Sequence, residues 1–193
     1  MEISFEQKVQ KSFTDAAIDI KNIRKIGVAV SGGADSVSLL ISLSNIFLNT
    51  KTKIFVITVN HFIREEKETT GDALFVEEIC NQLKKEGRNL EFKLYALKKG
   101  MVASYEKENH CGTEAAARDL RYECFERFIK ENNLEYLCLA HNQNDQFETL
   151  LMRFLQGSQT ENSTGIKLRR EKYLRPLLGI TRKEIEQYLK EKK

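Results

Sequence analysis

The sequence predicts an α/β fold, an open parallel sheet with helices on both faces. Three observations predict it. Four short runs rich in β-branched and apolar residues are spread along the 193 residues, each of strand rather than helix length. Segments of helical periodicity separate them, so successive strands are joined by helical crossovers and run parallel. A glycine-rich turn, Ser31-Gly32-Gly33-Ala34-Asp35-Ser36, lies between the first strand and the helix after it, where open α/β sheets receive ligands.

The elements follow in order. Residues 5–20 form a helix ahead of the first strand, residues 25–30 (KIGVAV), and residues 35–47 make a helix dense in Leu, Ile and Val. Residues 53–59 (KIFVITV) are the second strand, suited to burial on both faces. Thr69 or Thr70 caps the next helix, where Ala73, Val76, Cys80 and Leu83 recur as one apolar stripe. Residues 90–97 are the third strand, 114–130 a long helix, 135–140 (EYLCLA) the fourth strand and 145–156 the helix after it. Residues 181–190 form a last helix. The polar stretch 157–170 carries no periodicity and is expected to be a mobile loop.

Composition narrows the class. Hydrophobic residues are 41% and charged residues 31%, which excludes a disordered or fibrous chain. One proline and ten glycines leave little room for linkers, so residues 1–193 are expected to be one domain. No apolar run approaches the roughly 18 residues of a membrane span, and the charged start MEISFEQKVQ lacks a signal core. A cytoplasmic protein with no membrane partner is expected. Cys80, Cys111, Cys124 and Cys138 form no C-x-x-C pair, as expected of free thiols in a reducing compartment. Residues 166–193 hold ten basic and four acidic side chains, a net +6 that leaves −3 for the remainder of the +3 chain. A basic end on a near-neutral body suits a polyanion such as RNA, and equally suits a solvated helix face.

The glycine turn is the sharpest chemical feature. Two glycines let backbone N–H groups approach an anion, and the helix N-terminus adds partial positive charge. Ser31 and Ser36 can donate to phosphate oxygens, and Asp35 is suited to Mg²⁺. No Gly-Lys-Ser/Thr follows and G-x-G-x-x-G is absent, which excludes the kinase-type loop and the dinucleotide fingerprint.

A second group, His141, Asp145 and Glu148, falls at the end of the fourth strand, also on the carboxyl edge. Phe147, Leu150, Leu151, Phe154 and Leu155 make the apolar face of that helix, with Asp145 and Glu148 pointing away. Two carboxylates and an imidazole can hold Mg²⁺, orient an amine or take a proton, and Asn144 or Asp145 can instead serve as a helix cap beside a charged surface. On the long helix Ala117, Leu120, Cys124, Phe125, Phe128 and Ile129 form the buried arc, with Arg118 and Arg121 in or beside it. A guanidinium so placed needs an anion, either a structural carboxylate or a phosphate.

The glycine turn resembles the pyrophosphate-binding loop of the PP-loop (N-type) ATP pyrophosphatases. The blocks Val59-Asn60-His61-Phe62-Ile63-Arg64, Glu114-Ala115-Ala116-Ala117-Arg118 with Arg121-Tyr122, and Ala140 to Thr149 resemble the V-x-H-x-x-R, E-x-x-A-R-x-x-R-Y and A-H-x-x-x-D-x-x-E-T blocks of tRNA(Ile)-lysidine synthetases. Gly157-Ser158 and Arg175-Pro176-Leu177-Leu178 match in order too. The resemblance implies a Rossmann-like fold of the adenine nucleotide alpha hydrolase type. It implies that ATP adenylates the C2 oxygen of the wobble cytidine in tRNA(Ile) with a CAU anticodon, and that free L-lysine then displaces AMP. Ser31, Gly32, Gly33, Ala34 and Ser36 would bind the pyrophosphate part of ATP, with Asp35 and Mg²⁺ neutralising it. His61 and Arg64 would lie near the nucleotide, and Arg118 or Arg121 would meet the phosphoryl charge. His141, Asp145 and Glu148 would position lysine or cytidine and assist proton transfer. A dimer is compatible with the resemblance. The family continues beyond Arg175-Pro176-Leu177-Leu178 into further domains, expected to be absent from this chain. Alternatives are another AMP-forming PP-loop enzyme, such as a tRNA thiolase or an amide synthetase, or a non-catalytic ATP- or tRNA-binding module.

Overall fold

Ser4 starts the first helix. Its hydroxyl accepts from the Gln7 N–H at 3.2 Å and its own N–H donates to the Gln7 side chain at 2.9 Å, a reciprocal cap on α1 (Phe5–Asp15). The computed structural model describes residues 3–60, 66–155 and 165–192, without the side chains of 66–70. His61, Arg64, Gly157 and Ser158 lie outside the described residues.

The sheet contains β1 (Lys25–Ala29), β2 (Lys53–Asn60), β3 (Leu90–Ala96), β4 (Tyr136–Cys138), β5 (Arg169–Arg170) and β6 (Tyr173–Leu174). Their order is β3-β2-β1-β4-β6-β5, all parallel except the β5–β6 hairpin at one edge. The other helices are α2 (Ala34–Ile46), α3 (Glu66–Lys85), α4 (Met101–Asn109), α5 (Thr113–Asn132), α6 (Gln143–Leu155) and α7 (Arg182–Glu191). One face of the sheet packs Val9, Phe13, Leu39, Leu43 and Val76 from α1, α2 and α3, with Ile185 of α7. The opposite face packs Phe55 and Leu137 against Leu120, Phe125 and Phe128 of α5. The predicted stripes on α3 and α5 are both buried.

Several sequence expectations are corrected. The first helix stops at Asp15, because Ala17 turns left-handed (φ 56°) and the Ile18 N–H reaches back to Phe13 O at 2.8 Å. Residues 16–19 are a turn and irregular chain, and a single 3-10 turn, Ile20–Asn22, follows before β1. Helix α3 begins by Glu66, so Thr69 and Thr70 lie within it and are not its cap. Helix α4 was not foreseen. It is short, follows a left-handed Gly100 and ends at a left-handed His110. The polar stretch before Tyr173 holds the edge strand β5, and Glu171 at φ 55° makes the turn into β6. Among the described residues nothing covers the apolar side of α6: Phe147 is 66% and Phe154 80% exposed.

Candidate functional site

Strand register brings the two predicted clusters together. Val28 of β1 sits opposite Cys138 of β4. Three residues further along each chain come Ser31 and His141, side by side at the carboxyl edge. The chain runs from β1 to β2 on one side and continues to β4 on the other, so this is the topological switch point where such sheets bind ligands.

The turn after β1 is folded on its own hydroxyls. Ser36 Oγ accepts the Ser31 N–H at 3.1 Å, lies 3.3 Å from Ser31 Oγ and donates to Gly33 O at 3.0 Å. Gly33 is the N-cap of α2 and supplies no side chain to it. The first N–H groups of α2 therefore open toward the cleft with the positive end of the helix dipole. Gly32 has φ +90°, which disfavours any side chain, and a Cβ there would also lie 3.5 Å from Asp72 Cβ.

The turn after β4 is closed. The Asn142 side chain accepts from Asn144 N at 2.8 Å and Asp145 N at 3.1 Å, while Asp145 accepts from Asn142 N at 2.8 Å. This reciprocal cap gives Asp145 a structural duty that sequence reading divided between Asn144 and Asp145. His141 has a buried Nδ1 with no hydrogen-bond partner. Burial and then the nearby Arg175 push its pKa down to about 4, so the imidazole is neutral at pH 7.

Two cavities meet at this edge. The first, about 420 Å³, is lined by Ser31, Ser36, Arg118, Arg121, Tyr122 and His141 among others. The second, about 610 Å³, includes Arg118, His141, Asp145, Glu148, Arg170 and Arg175. Arg118 and His141 form the shared wall. Both arginines of α5 are exposed, which corrects their predicted burial. They stand on the rim of the cleft, Arg118 with its guanidinium 5.4 Å from the Tyr122 ring centre. Packing and the like charge of Arg118 lower the pKa of Arg121, so an anion here is favoured by both.

Asp35, in the first turn of α2, has a buried Oδ1 with no hydrogen-bond partner. Burial raises its pKa, the Asn142 side-chain hydrogen bond and the Arg182 charge oppose that, and Asp145 and Glu186 raise it further. Its buried, unpartnered oxygen suits a hard divalent cation. Among the described residues no three His, Cys, Asp or Glu side chains gather into a metal cage.

A family profile described as the PP-loop domain matches residues 1–193. The chain belongs to the PP-loop domain family. The chain is 46% identical over 165 residues to a tRNA(Ile)-lysidine synthase of Treponema denticola, covering 86% of this chain and 35% of that protein. It is 36% identical to the tRNA(Ile)-lysidine synthase of Borreliella afzelii, over 87% of this chain and 36% of that one. The chain thus spans about a third of the length of the curated relatives it matches. In fold it is similar to a U34-tRNA thiolase from Methanococcus maripaludis solved with its [4Fe-4S] cluster, with a TM-score of 0.75 at 19% identity over 96% of this chain and 61% of that one. An NAD+ synthetase from Burkholderia pseudomallei superposes with a TM-score of 0.56 at 9% identity, over 95% of this chain and 65% of that one.

Within this PP-loop domain the structure brings Ser31, Gly32, Gly33, Ala34, Asp35, Ser36, Arg118, Arg121, His141, Asp145 and Glu148 to one edge. Sequence reading missed Asn142, whose signal was the Asn–x–x–Asp spacing of a reciprocal cap, and Arg175, noted only as part of a matching block. It also missed Asp72, which α3 carries up to Gly32. No described helix is long and apolar enough to cross a membrane.

Proposed function

We propose that this chain carries the chemistry of a tRNA(Ile)-lysidine synthetase. The carrying observation is the wall of Arg118 and His141 shared by a cavity at the open PP-loop and a second cavity with two carboxylates. The curated relatives named tRNA(Ile)-lysidine synthase support the substrate choice. The thiolase alternative rests on likeness of fold alone.

In this reading the wobble cytidine C2 oxygen attacks the α-phosphorus of ATP and pyrophosphate leaves. The ε-amino group of L-lysine then attacks C2, and the oxygen departs with AMP. Ser31, Ser36 and the N–H groups of α2 hold the pyrophosphate part. Asp35 would hold Mg²⁺, which would supply positive charge to neutralise the phosphates. Arg118 and Arg121 face the phosphoryl charge during both steps. Neutral His141 offers a hydrogen bond without adding charge to an arginine-rich wall. Asp145 is tied into the α6 cap, so Glu148 is the carboxylate that receives the proton of the attacking amine. The test is incubation with Mg-ATP, L-lysine and unmodified tRNA(Ile), followed by nucleoside mass spectrometry and AMP detection. Lysidine with stoichiometric AMP supports the reading. AMP that forms without lysidine, or no AMP with any of these substrates, overturns it.

A further inference from the structure

Arg175 is a buried cation for which the reaction above gives no duty. It follows β6 directly, and its side chain is only 7% exposed. Its backbone N–H donates to Leu168 O at 2.9 Å and its Nη1 donates to Lys167 O at 2.9 Å. Its Nε is buried with no partner, and among the described residues no carboxylate pairs with the guanidinium. A charge in that position is costly unless an anion completes it. Arg175 lines the second cavity and not the first. Arg118 faces both cavities and leans on Tyr122. Arg153, Lys167 and Arg170 also line the second cavity, but Arg175 is its buried cation, held by the Lys167 carbonyl and with no carboxylate partner among the described residues.

The same cavity contains Asp145 and Glu148. Carboxylates on one wall and a fixed guanidinium on another match a ligand with an amine at one end and a carboxylate at the other. The Lys167 segment is itself pinned from α6. The Ile166 N–H donates to Gln146 Oε1 at 2.5 Å, and a Cβ on Gly165 would fall 2.7 Å from Gln146 Cδ. Arg175 thus stands in a frame that spans α6, the chain before β5 and β6.

We propose that Arg175 is a specificity-determining residue that binds the α-carboxylate of the amino acid substrate, so that the site takes an amino acid and rejects a simple diamine. This rests on the lysidine synthetase reading and deepens it. A planar guanidinium recognises a carboxylate through paired N–H donors, which a lysine ammonium does not reproduce.

The test uses the full chain with Mg-ATP and unmodified tRNA(Ile), and compares L-lysine, L-lysinamide and cadaverine, by calorimetry and by turnover. The wild type is expected to bind L-lysine at least on the order of tenfold more tightly than either analogue lacking the carboxylate. Arg175→Gln is expected to raise the KM for L-lysine on the order of tenfold to a hundredfold, leaving the KM for cadaverine and ATP binding unchanged. Arg175→Lys keeps the charge and covers the case in which the glutamine variant fails to fold; it is expected to lose most of the preference as well. Equal weakening of lysine and cadaverine would overturn the proposal in favour of a packing role. Weakened ATP binding would overturn it in favour of a phosphate contact. Lysidine formation by a wild type that shows no preference for lysine over lysinamide would overturn this proposal alone. Absence of both lysidine formation and lysine binding would remove the underlying reading with it.

Discussion

The turns after β1 and β4 occupy equivalent places on neighbouring strands, yet they are finished in opposite ways. The first has glycine at its N-cap and leaves the opening N–H groups of α2 without a side-chain acceptor. The second is sealed by Asn142 and Asp145, which satisfy one another's backbone. An open helix start attracts an anion, whereas a sealed one has used its donors. In the function proposed above, phosphate goes to the first turn. At the second, the proposed chemistry falls to side chains around the cap: His141, Glu148 and, just after β6, Arg175.

The largest test of this division is Glu148→Gln. Glu148 is exposed on α6 and lies in the second cavity. Turnover is expected to fall on the order of a hundredfold or more, with ATP affinity and melting temperature unchanged. A matching loss of ATP affinity would merge the two turns into one site. Next comes Gly32→Ala. The left-handed backbone predicts a loss in ATP affinity on the order of tenfold to a hundredfold, read by calorimetry. An unchanged affinity would show that this turn does not hold phosphate.

A smaller effect separates capping from chemistry. Asn142→Ala removes the acceptor for two N–H groups of α6 and is expected to cost about 1 kcal/mol of stability, a shift of roughly 2–4 °C in Tm. Asp145→Asn should lose part of the same stability, because its carboxylate completes the cap. An Asp145→Asn variant that keeps full stability while losing turnover would return Asp145 to a purely catalytic role.

How much of this was legible beforehand follows from the range of the interactions. The strands, the PP-loop and the α5 arc were readable because β-branched runs, paired glycines and 3.6-residue spacing are local signals. Helix α4 and the β5–β6 hairpin were not, since two-residue strands and a nine-residue helix leave too short a pattern. The mutual cap of Asn142 and Asp145 was within reach of the spacing, but the carboxylates drew attention first. The exposed arginines of α5 illustrate another limit. A helical wheel places Arg118 beside the buried arc, but only the tertiary structure shows that the neighbouring space is a cleft. Likewise the apolar face of α6 has the periodicity of a buried helix, and no sequence pattern tells whether something covers it. Arg175 gave no local signal of burial, since its surroundings come from segments brought together only by the sheet.

The smallest effect concerns two adjacent arginines on β5, which the basic patch of residues 166–193 had joined as one expected RNA contact. A strand turns successive side chains to opposite faces, and the structure separates the pair. Arg169 places its guanidinium 5.2 Å from the Tyr136 ring centre and reaches Ala16 O at 3.4 Å. Arg170 opens on the second cavity. Arg169 is therefore engaged within the protein. If the tRNA backbone passes this edge, Arg170→Ala removes one phosphate contact, and the slope of log affinity against log salt should flatten by about one. Arg169→Ala should leave that slope alone and lower the melting temperature slightly, since its contacts lie within the protein. Gel-shift titrations of each single variant at several salt concentrations distinguish the two. A flattened slope for Arg169→Ala with none for Arg170→Ala would reverse the assignment of the two faces, and would place the RNA path over Tyr136 rather than along the second cavity.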